Sequence, residues 1–264
     1  MKQLISDVIE KPIDADERTT ASTLLGWPRD QIFRDVIGRG QADFTSEIGH
    51  LSAYDRALLY AKYNQGRHLD ELCHAFDRLL GEQVIARPTV IDVGCGPFTA
   101  GLAFAASIGP REPFRYFGID RAPSMLELGG VLATGARHRG AFHPLTTWAF
   151  GQSLDELDFG PVRGEWVVVV ASYLLASPTL VVDELVASIL GALTRFGPGP
   201  VAVLYTNSAN AAARAKFPAF RDSLMREGFE VKADFVERFV DTTKTPKDLH
   251  YALLFRPAQN IINM

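Results

Sequence analysis

Two carboxylates bracket a glycine turn in this chain. Val90-Ile91-Asp92-Val93 is a short apolar run that ends on Gly94-Cys95-Gly96-Pro97, and a second run, Tyr116-Phe117-Gly118-Ile119, ends on Asp120. A strand that runs into a tight turn and then a helix leaves free backbone N–H groups at the turn. Gly94 and Gly96 can take positive φ and let the backbone approach a ligand closely. Asp120 falls at the carboxyl edge of the sheet, where it can accept both hydroxyl hydrogens of a ribose. Glycines also make structural turns, and a strand-end aspartate can simply be solvated; the two together point to a nucleoside. A dinucleotide needs Gly-x-Gly-x-x-Gly, whose third glycine lets strand and helix pack over the diphosphate. Position 99 is Thr instead. Asp92 would also repel a diphosphate, whereas it attracts an adenosyl ligand bearing a cationic sulfonium and ammonium. The charges favour S-adenosylmethionine over NAD, with a nicotinamide dehydrogenase as the rival reading.

The elements that must position these groups follow from periodicity. The first ~85 residues read as helical. Asp14–Leu25 has a helix-like charge order, Gly26-Trp27-Pro28 breaks it, and Arg29–Ile37 forms a short helix that stops at Gly38-Arg39-Gly40. Ser52 opens a long stretch with spacings of three and four, through Tyr54, Leu58, Leu59, Tyr63, Leu69, Leu72, Cys73, Phe76 and Leu79, with a kink at Gly66 and a stop at Gly81. The texture changes at Pro88. Strands are expected at Thr89–Val93, Phe114–Ile119, Leu145–Phe150, Trp166–Ala171 and Val201–Tyr205, and helices at Leu102–Ile108, Pro123–Ala133, Leu180–Phe196 and Ala209–Glu227. Phe229–Val240 and His250–Phe255 are two extended runs with only a polar loop between them, so they should pair antiparallel. The expected fold is α/β: a doubly wound, mostly parallel, seven-stranded, Rossmann-like sheet with an antiparallel terminal strand and an N-terminal helical cap. The expected division is 1–86 for the cap and 87–264 for the ligand-binding core.

The glycine turn resembles motif I of the class I S-adenosylmethionine-dependent methyltransferases. Gly118-Ile119-Asp120-Arg121-Ala122-Pro123-Ser124-Met125-Leu126 is similar to the stretch that family places after its second strand, and the resemblance covers about Pro88 to Pro257. It implies that Asp92 lies near the methionine amino group, that Gly94, Cys95 and Gly96 line the cofactor, that Asp120, followed by Arg121, holds the ribose, and that Met125 touches the adenine face. Gln152, followed by Ser153, stands where many members carry an acid that accepts from the adenine amino group; an amide carbonyl can do the same. Phe98 stands where the family often has a further glycine. The fourth strand, ending at Ala171-Ser172-Tyr173, would face the methyl group. Tyr173 is then the candidate to position a substrate or take a proton, with a packed aromatic as the structural alternative. In the cap, Tyr60 and Tyr63 share a helix face by spacing and could cover the methionine end.

Other chemistries find little support. The 264 residues carry 27 Lys and Arg against 31 Asp and Glu, a net charge of −4, so no global basic field drives nucleic-acid binding. Arg137-His138-Arg139 with His143, and Arg214, Lys216, Arg221 and Arg226, are local basic groups that read as solvated faces or as a phosphate site. Two cysteines, Cys73 and Cys95, make neither a disulfide framework nor an all-thiolate metal site. Neither cysteine follows the fourth strand, where a pyrimidine-carbon methyltransferase needs its nucleophile. No run approaches the ~20 apolar residues of a membrane span, and Met1–Glu10 does not read as a signal peptide. No metal and no membrane partner are expected, and a cytoplasmic location is. Leu51–Ala61 and Ala171–Leu175 are also similar to the methyltransferase-like factors of the small ribosomal subunit, which implies an rRNA-linked role. The expected activity is methyl transfer to an N or O nucleophile, of rRNA or of a small molecule; the alternative is a catalytically silent methyltransferase fold that serves binding or ribosome assembly.

Overall fold

The computed structural model describes residues 1–82, 85–163, 165–242 and 245–259. The apolar runs after Pro88 become one sheet of seven strands: β1 Thr89–Val93, β2 Arg115–Ile119, β3 Thr147–Gly151, β4 Val167–Ser172, β5 Val201–Ser208, β6 Glu230–Phe239 and β7 Lys247–Arg256. Their order across the sheet is β3-β2-β1-β4-β5-β7-β6. The first five run parallel, and β7 is inserted antiparallel between β5 and β6. The reversal follows from chain length: only seven residues separate the end of β6 at Phe239 from the start of β7 at Lys247, too few for a crossover helix.

The parallel strands read as unbroken apolar runs because both faces are covered. Alternation sorts their side chains. Val90, Tyr116, Val168, Val170, Leu204 and Tyr251 belong to the core shared with the N-terminal helices, whereas Ile91, Phe117, Val169, Ala171, Val203 and Leu254 belong to the core under the opposite helices. Asp92 shares the parity of Val90 and so falls on the cap side.

Three helical segments form the cap: α1 (residues 2–15), α2 (residues 29–36) and α3 (residues 53–82). Ser52 starts α3 with a reciprocal cap, its Oγ accepting from Asp55 N at 3.0 Å while Asp55 accepts from Ser52 N at 3.0 Å. The core helices are α4 Thr99–Ile108, α5 Pro123–His138, α6 Val182–Phe196, α7 Ala211–Arg214 and α8 Phe217–Arg226. Leu4, Ile9 and Phe76 of the cap join the same hydrophobic cluster as α4 and α5, so packing runs across the 86/87 division. No helix among the described residues is long and apolar enough to cross a membrane.

Three expectations are corrected. Asp14–Leu25 is not a helix beyond its first two residues: α1 ends at Ala15 and gives way to a loop with a two-residue ribbon pairing Thr23–Leu24 with Trp27–Pro28. The Asp16 carboxylate accepts from Arg18 N at 2.9 Å, a local turn that competes with helix. Ala209–Glu227 is split into α7 and α8, because Pro218 sits in the first turn of α8 and cannot continue a helix entering from the N-terminal side. Tyr60 and Tyr63 do not share a face. A π turn over Ala61–Gln65 shifts the helical phase, so Tyr63 packs on Phe33, with centroids 6.2 Å apart, and its hydroxyl donates to Arg29 O.

Candidate functional site

The turn after β1 is tied down before any ligand is considered. Gly94 N and Cys95 N both donate to Ile119 O, at 2.8 and 2.9 Å, which fastens it to the end of β2. Gly94 has φ 72°, a conformation that calls for glycine, and a Cβ there would lie 2.9 Å from Leu174 Cδ1 and have to push that side-chain end aside. Asp120 completes the clamp: Oδ2 accepts from Gly96 N and Oδ1 from Ala122 N, each at 3.0 Å. Each carboxylate oxygen keeps a second lone-pair site for a ligand hydroxyl. Burial holds the Asp120 carboxyl above its ordinary range, against the two backbone donors that pull it down.

Phe98 stands where the sequence resemblance implies a further glycine. It adopts φ 65° and leads into α4 with its ring fully buried. The ring meets Tyr116 edge-on, with centroids 4.6 Å apart, and contacts Phe142 and Phe150. A Cβ at Gly101 would lie 2.0 Å from it. Gly101, lacking a side chain, makes room for the Phe98 ring as an aromatic plug beneath the loop.

Above the turn lies a cavity of about 370 Å3. Its floor includes Gly94, Gly96 and Asp120; one end is formed by Met125, Arg121 and Gln152; the other by Tyr60, Ser172 and Tyr173. A smaller recess continues beneath His68 to Asp92, Cys95 and Thr99. The cavity and recess therefore gather ten of the twelve residues singled out from sequence. Ala171 is fully buried in the far-face core by strand alternation, and Ser172 takes the wall in its place. Ser153 lies beyond the lining. Gln152 donates through Nε2 to Arg121 O at 3.1 Å, which leaves Oε1 as the accepting end of that amide.

Asp92 is nearly fully buried and its Oδ2 accepts from the Tyr116 hydroxyl at 2.6 Å. Desolvation pushes its carboxyl up from 3.8 to about 7, with Asp120 adding to the shift and Tyr116 opposing it. Burial likewise pushes the Cys95 thiol well up, which keeps it protonated and unreactive. Burial also raises the Tyr60 phenol, with Asp120 and Asp92 reinforcing the effect.

The strand order with a reversed β7 and a glycine turn at the central β1 decides the architecture. The fold is that of the class I methyltransferases. No family model matches the chain, and no curated protein matches it in sequence. Solved structures of this methyltransferase fold are distant likenesses. The glycopeptide N-methyltransferase MtfA complexed with S-adenosyl-L-methionine is 14% identical, covering 70% of this chain and 94% of its own, with a TM-score of 0.49. Cofactor-bound Rv0187 from MTB is 15% identical, covering 87% and 96%, with a TM-score of 0.45. The N-methyltransferase NodS from Bradyrhizobium japonicum WM9 is 12% identical, covering 74% and 97%, with a TM-score of 0.42.

Several lining groups of this methyltransferase fold had no place in the sequence reading. Gly40, Gln41 and Phe44 come from the segment between α2 and α3, where Gly38 and Gly40 take positive φ. Thr179 and Leu180 come from the loop after β4. Arg121 Nη1 donates to Thr179 Oγ1 at 3.1 Å, joining the ends of β2 and β4 across the cavity. Lys216 Nζ anchors that loop by donating to the carbonyls of Ser177, Pro178 and Leu180 at 2.6, 3.2 and 2.7 Å. Lys216→Met is expected to lower stability by about 2 kcal/mol, as the loss of bonds to a charged group does, and to leave the loop open to proteolysis; urea denaturation and limited digestion check it.

The basic groups are mostly engaged within the fold. Arg137 donates to Thr146 O and lies over Trp148, 4.1 Å from the ring centre. Arg139 pairs with Asp7 at 2.6 Å, Arg221 with Asp222 at 2.9 Å, and Arg226 donates to Ser223 Oγ at 2.8 Å. Among the described residues no group of three His, Cys, Asp or Glu side chains gathers to hold a metal ion.

Proposed function

We propose that the cavity binds S-adenosylmethionine and that the chain transfers its methyl group to an N or O nucleophile. One observation carries this reading: the ligand side of the glycine turn is flanked by two carboxylates, the buried Asp92 and the half-buried Asp120, where a diphosphate would meet repulsion. The donor and acceptor set suits the parts of that molecule. Asp120 suits ribose hydroxyls, Gln152 Oε1 an adenine amino group, Met125 an adenine face, and Asp92 an ammonium. When bound, S-adenosylmethionine supplies a methyl group on a positively charged sulfur, already a good leaving group. Alignment of nucleophile, carbon and sulfur then supplies much of the acceleration.

The internal pairing of Arg137, Arg139, Lys216, Arg221 and Arg226 supports a small-molecule acceptor over the backbone of rRNA, since these cations are already occupied. Calorimetric titration with S-adenosylmethionine and its demethylated product tests the binding claim. Asp120→Ala is expected to weaken both by about 100-fold or more, because two bonds to a charged acceptor are lost. Asp120→Asn, which keeps an oxygen for the turn, should lose about tenfold. Heat-free titrations of the parent with both compounds would remove the reading. Transfer of labelled methyl groups to any cellular fraction separates turnover from binding alone.

A further inference from the structure

Behind Tyr173, which lines one end of the cavity, lies a buried acid that lines neither the cavity nor the recess. Tyr173 follows β4 directly, with φ 57°, a left-handed conformation that is costly for an aromatic residue. Its backbone is fixed there by N–H donation to Thr206 O at 2.8 Å. Its ring stacks on His68 of α3, with centroids 4.1 Å apart and planes 20° apart. Its hydroxyl lies toward Glu71, one turn further along the same helix, the two side chains being close enough to influence each other's protonation. Glu71 is only 2% exposed, and its Oε2 has no partner among the described residues. Packing does not call for an acid here, because Leu69, Leu72 and Phe76 already supply the apolar face of α3. A buried carboxylate with an oxygen left unpaired is a substantial burden on the fold.

We propose that Tyr173 and Glu71 form a proton relay from the methyl acceptor, with His68 holding the Tyr173 ring in place. The acceptor is then a nucleophile that arrives with its proton, a hydroxyl or an N–H group, rather than a thiolate or carboxylate. This rests on the proposed methyl transfer. The relay balances as follows. The acceptor O or N forms its bond to the methyl carbon while the carbon–sulfur bond breaks, and that electron pair remains on sulfur, which becomes a neutral thioether. The acceptor's proton passes to the Tyr173 oxygen as the proton of Tyr173 passes to Glu71.

The surrounding charges fit these roles. Glu71 faces Arg67 and Asp70 on α3, Lys247 on β7 and the Tyr173 hydroxyl; Tyr173 faces Glu71, Arg67 and Tyr60. Desolvation is the largest influence on each. It lifts Glu71 from 4.5 to about 7, against the pull of Tyr173, Arg67 and Lys247. It raises the Tyr173 phenol, so Tyr173 conducts a proton rather than storing its own charge. It lowers His68 from 6.5 to about 4, helped by Arg67 and Lys247, so a neutral imidazole faces the ring and does not compete as base. A base that ionises near neutrality is the effective kind.

Tyr173→Phe keeps the ring and its stack, and Glu71→Gln keeps the size, so both variants should bind S-adenosylmethionine within about threefold of the parent by calorimetry. With methyl-labelled S-adenosylmethionine and cell extract separated into RNA, protein and small-molecule fractions, each should transfer label about 100-fold more slowly or worse. The parent rate should rise as pH increases through about 7, where Glu71 loses its proton, and that rise should vanish in Glu71→Gln. Carboxyl infrared titration of the ligand-free protein should show a group ionising near neutrality that Glu71→Gln removes. Variants with parental rates and pH profiles, or no such infrared band, overturn the relay while leaving cofactor binding intact. A parent that binds the cofactor but transfers no label overturns methyl transfer and the relay with it.

Discussion

Asp92→Asn is expected to stabilise the ligand-free protein at pH 8 and to cripple its affinity for S-adenosylmethionine. Both effects come from one buried carboxyl held at about 7 rather than 3.8. A folded-state value raised above the unfolded one means that the native protein retains a proton that the unfolded chain gives up. Stability from this group is therefore full below pH ~4 and is lost as pH rises toward 7. By pH 8 the penalty is about 4 kcal/mol. Asparagine matches the shape and can still accept from the Tyr116 hydroxyl, but it never ionises. The variant should therefore unfold at higher urea than the parent at pH 8 and show no such advantage near pH 4. The same change removes the charge opposed to the ammonium, a loss of about 2 kcal/mol or some 30-fold in affinity. In the parent, cofactor binding below pH 7 should expel a proton from Asp92. The calorimetric heat at pH 6 should then depend on the buffer's ionisation enthalpy, a dependence absent in the variant. Equal pH–stability curves for the two proteins would refute this account of Asp92.

Phe98→Ala should be the most damaging single truncation beneath the turn, at about 3–5 kcal/mol. The ring is fully buried, fills the space left by Gly101, and bridges Tyr116, Phe142 and Phe150. Alanine would keep the unfavourable φ of 65° and leave a void among aromatic rings. Chemical denaturation measures the loss directly. Because Tyr116 positions Asp92, the variant should also bind the cofactor less tightly at temperatures where it stays folded. A change below about 1 kcal/mol would mean that neighbouring rings close the gap without strain.

The sheet was legible because its signals are local. Val167–Val170 is four consecutive valines, an unambiguous covered strand, and the short polar loop before β7 forces an antiparallel return. The glycine turn and Asp120 were legible because their chemistry depends on residue type at fixed spacing. The remainder depends on contacts between distant segments. A period count cannot see the π turn at Ala61–Gln65, so spacing alone sets Tyr63 beside Tyr60 although the extra residue in that turn rotates it away. Asp14–Leu25 has a helical charge order, yet side-chain bonds of Asp16 and Thr19 draw the chain into a loop. His68 and Glu71 read as ordinary polar positions on an amphipathic helix; only the approach of α3 to the end of β4 brings them to Tyr173. Ala171 and Ser172 differ by a single step of strand alternation, which sends one to the far core and the other to the cavity wall.

A crystal structure of the parent protein soaked with the demethylated cofactor product tests the central claim most directly. The expected density places the adenine between Met125 and Gln152, both ribose hydroxyls on Asp120, and the amino-acid end toward Asp92. An unchanged cavity at saturating concentration, or NAD bound across the turn in a parallel soak, would contradict it.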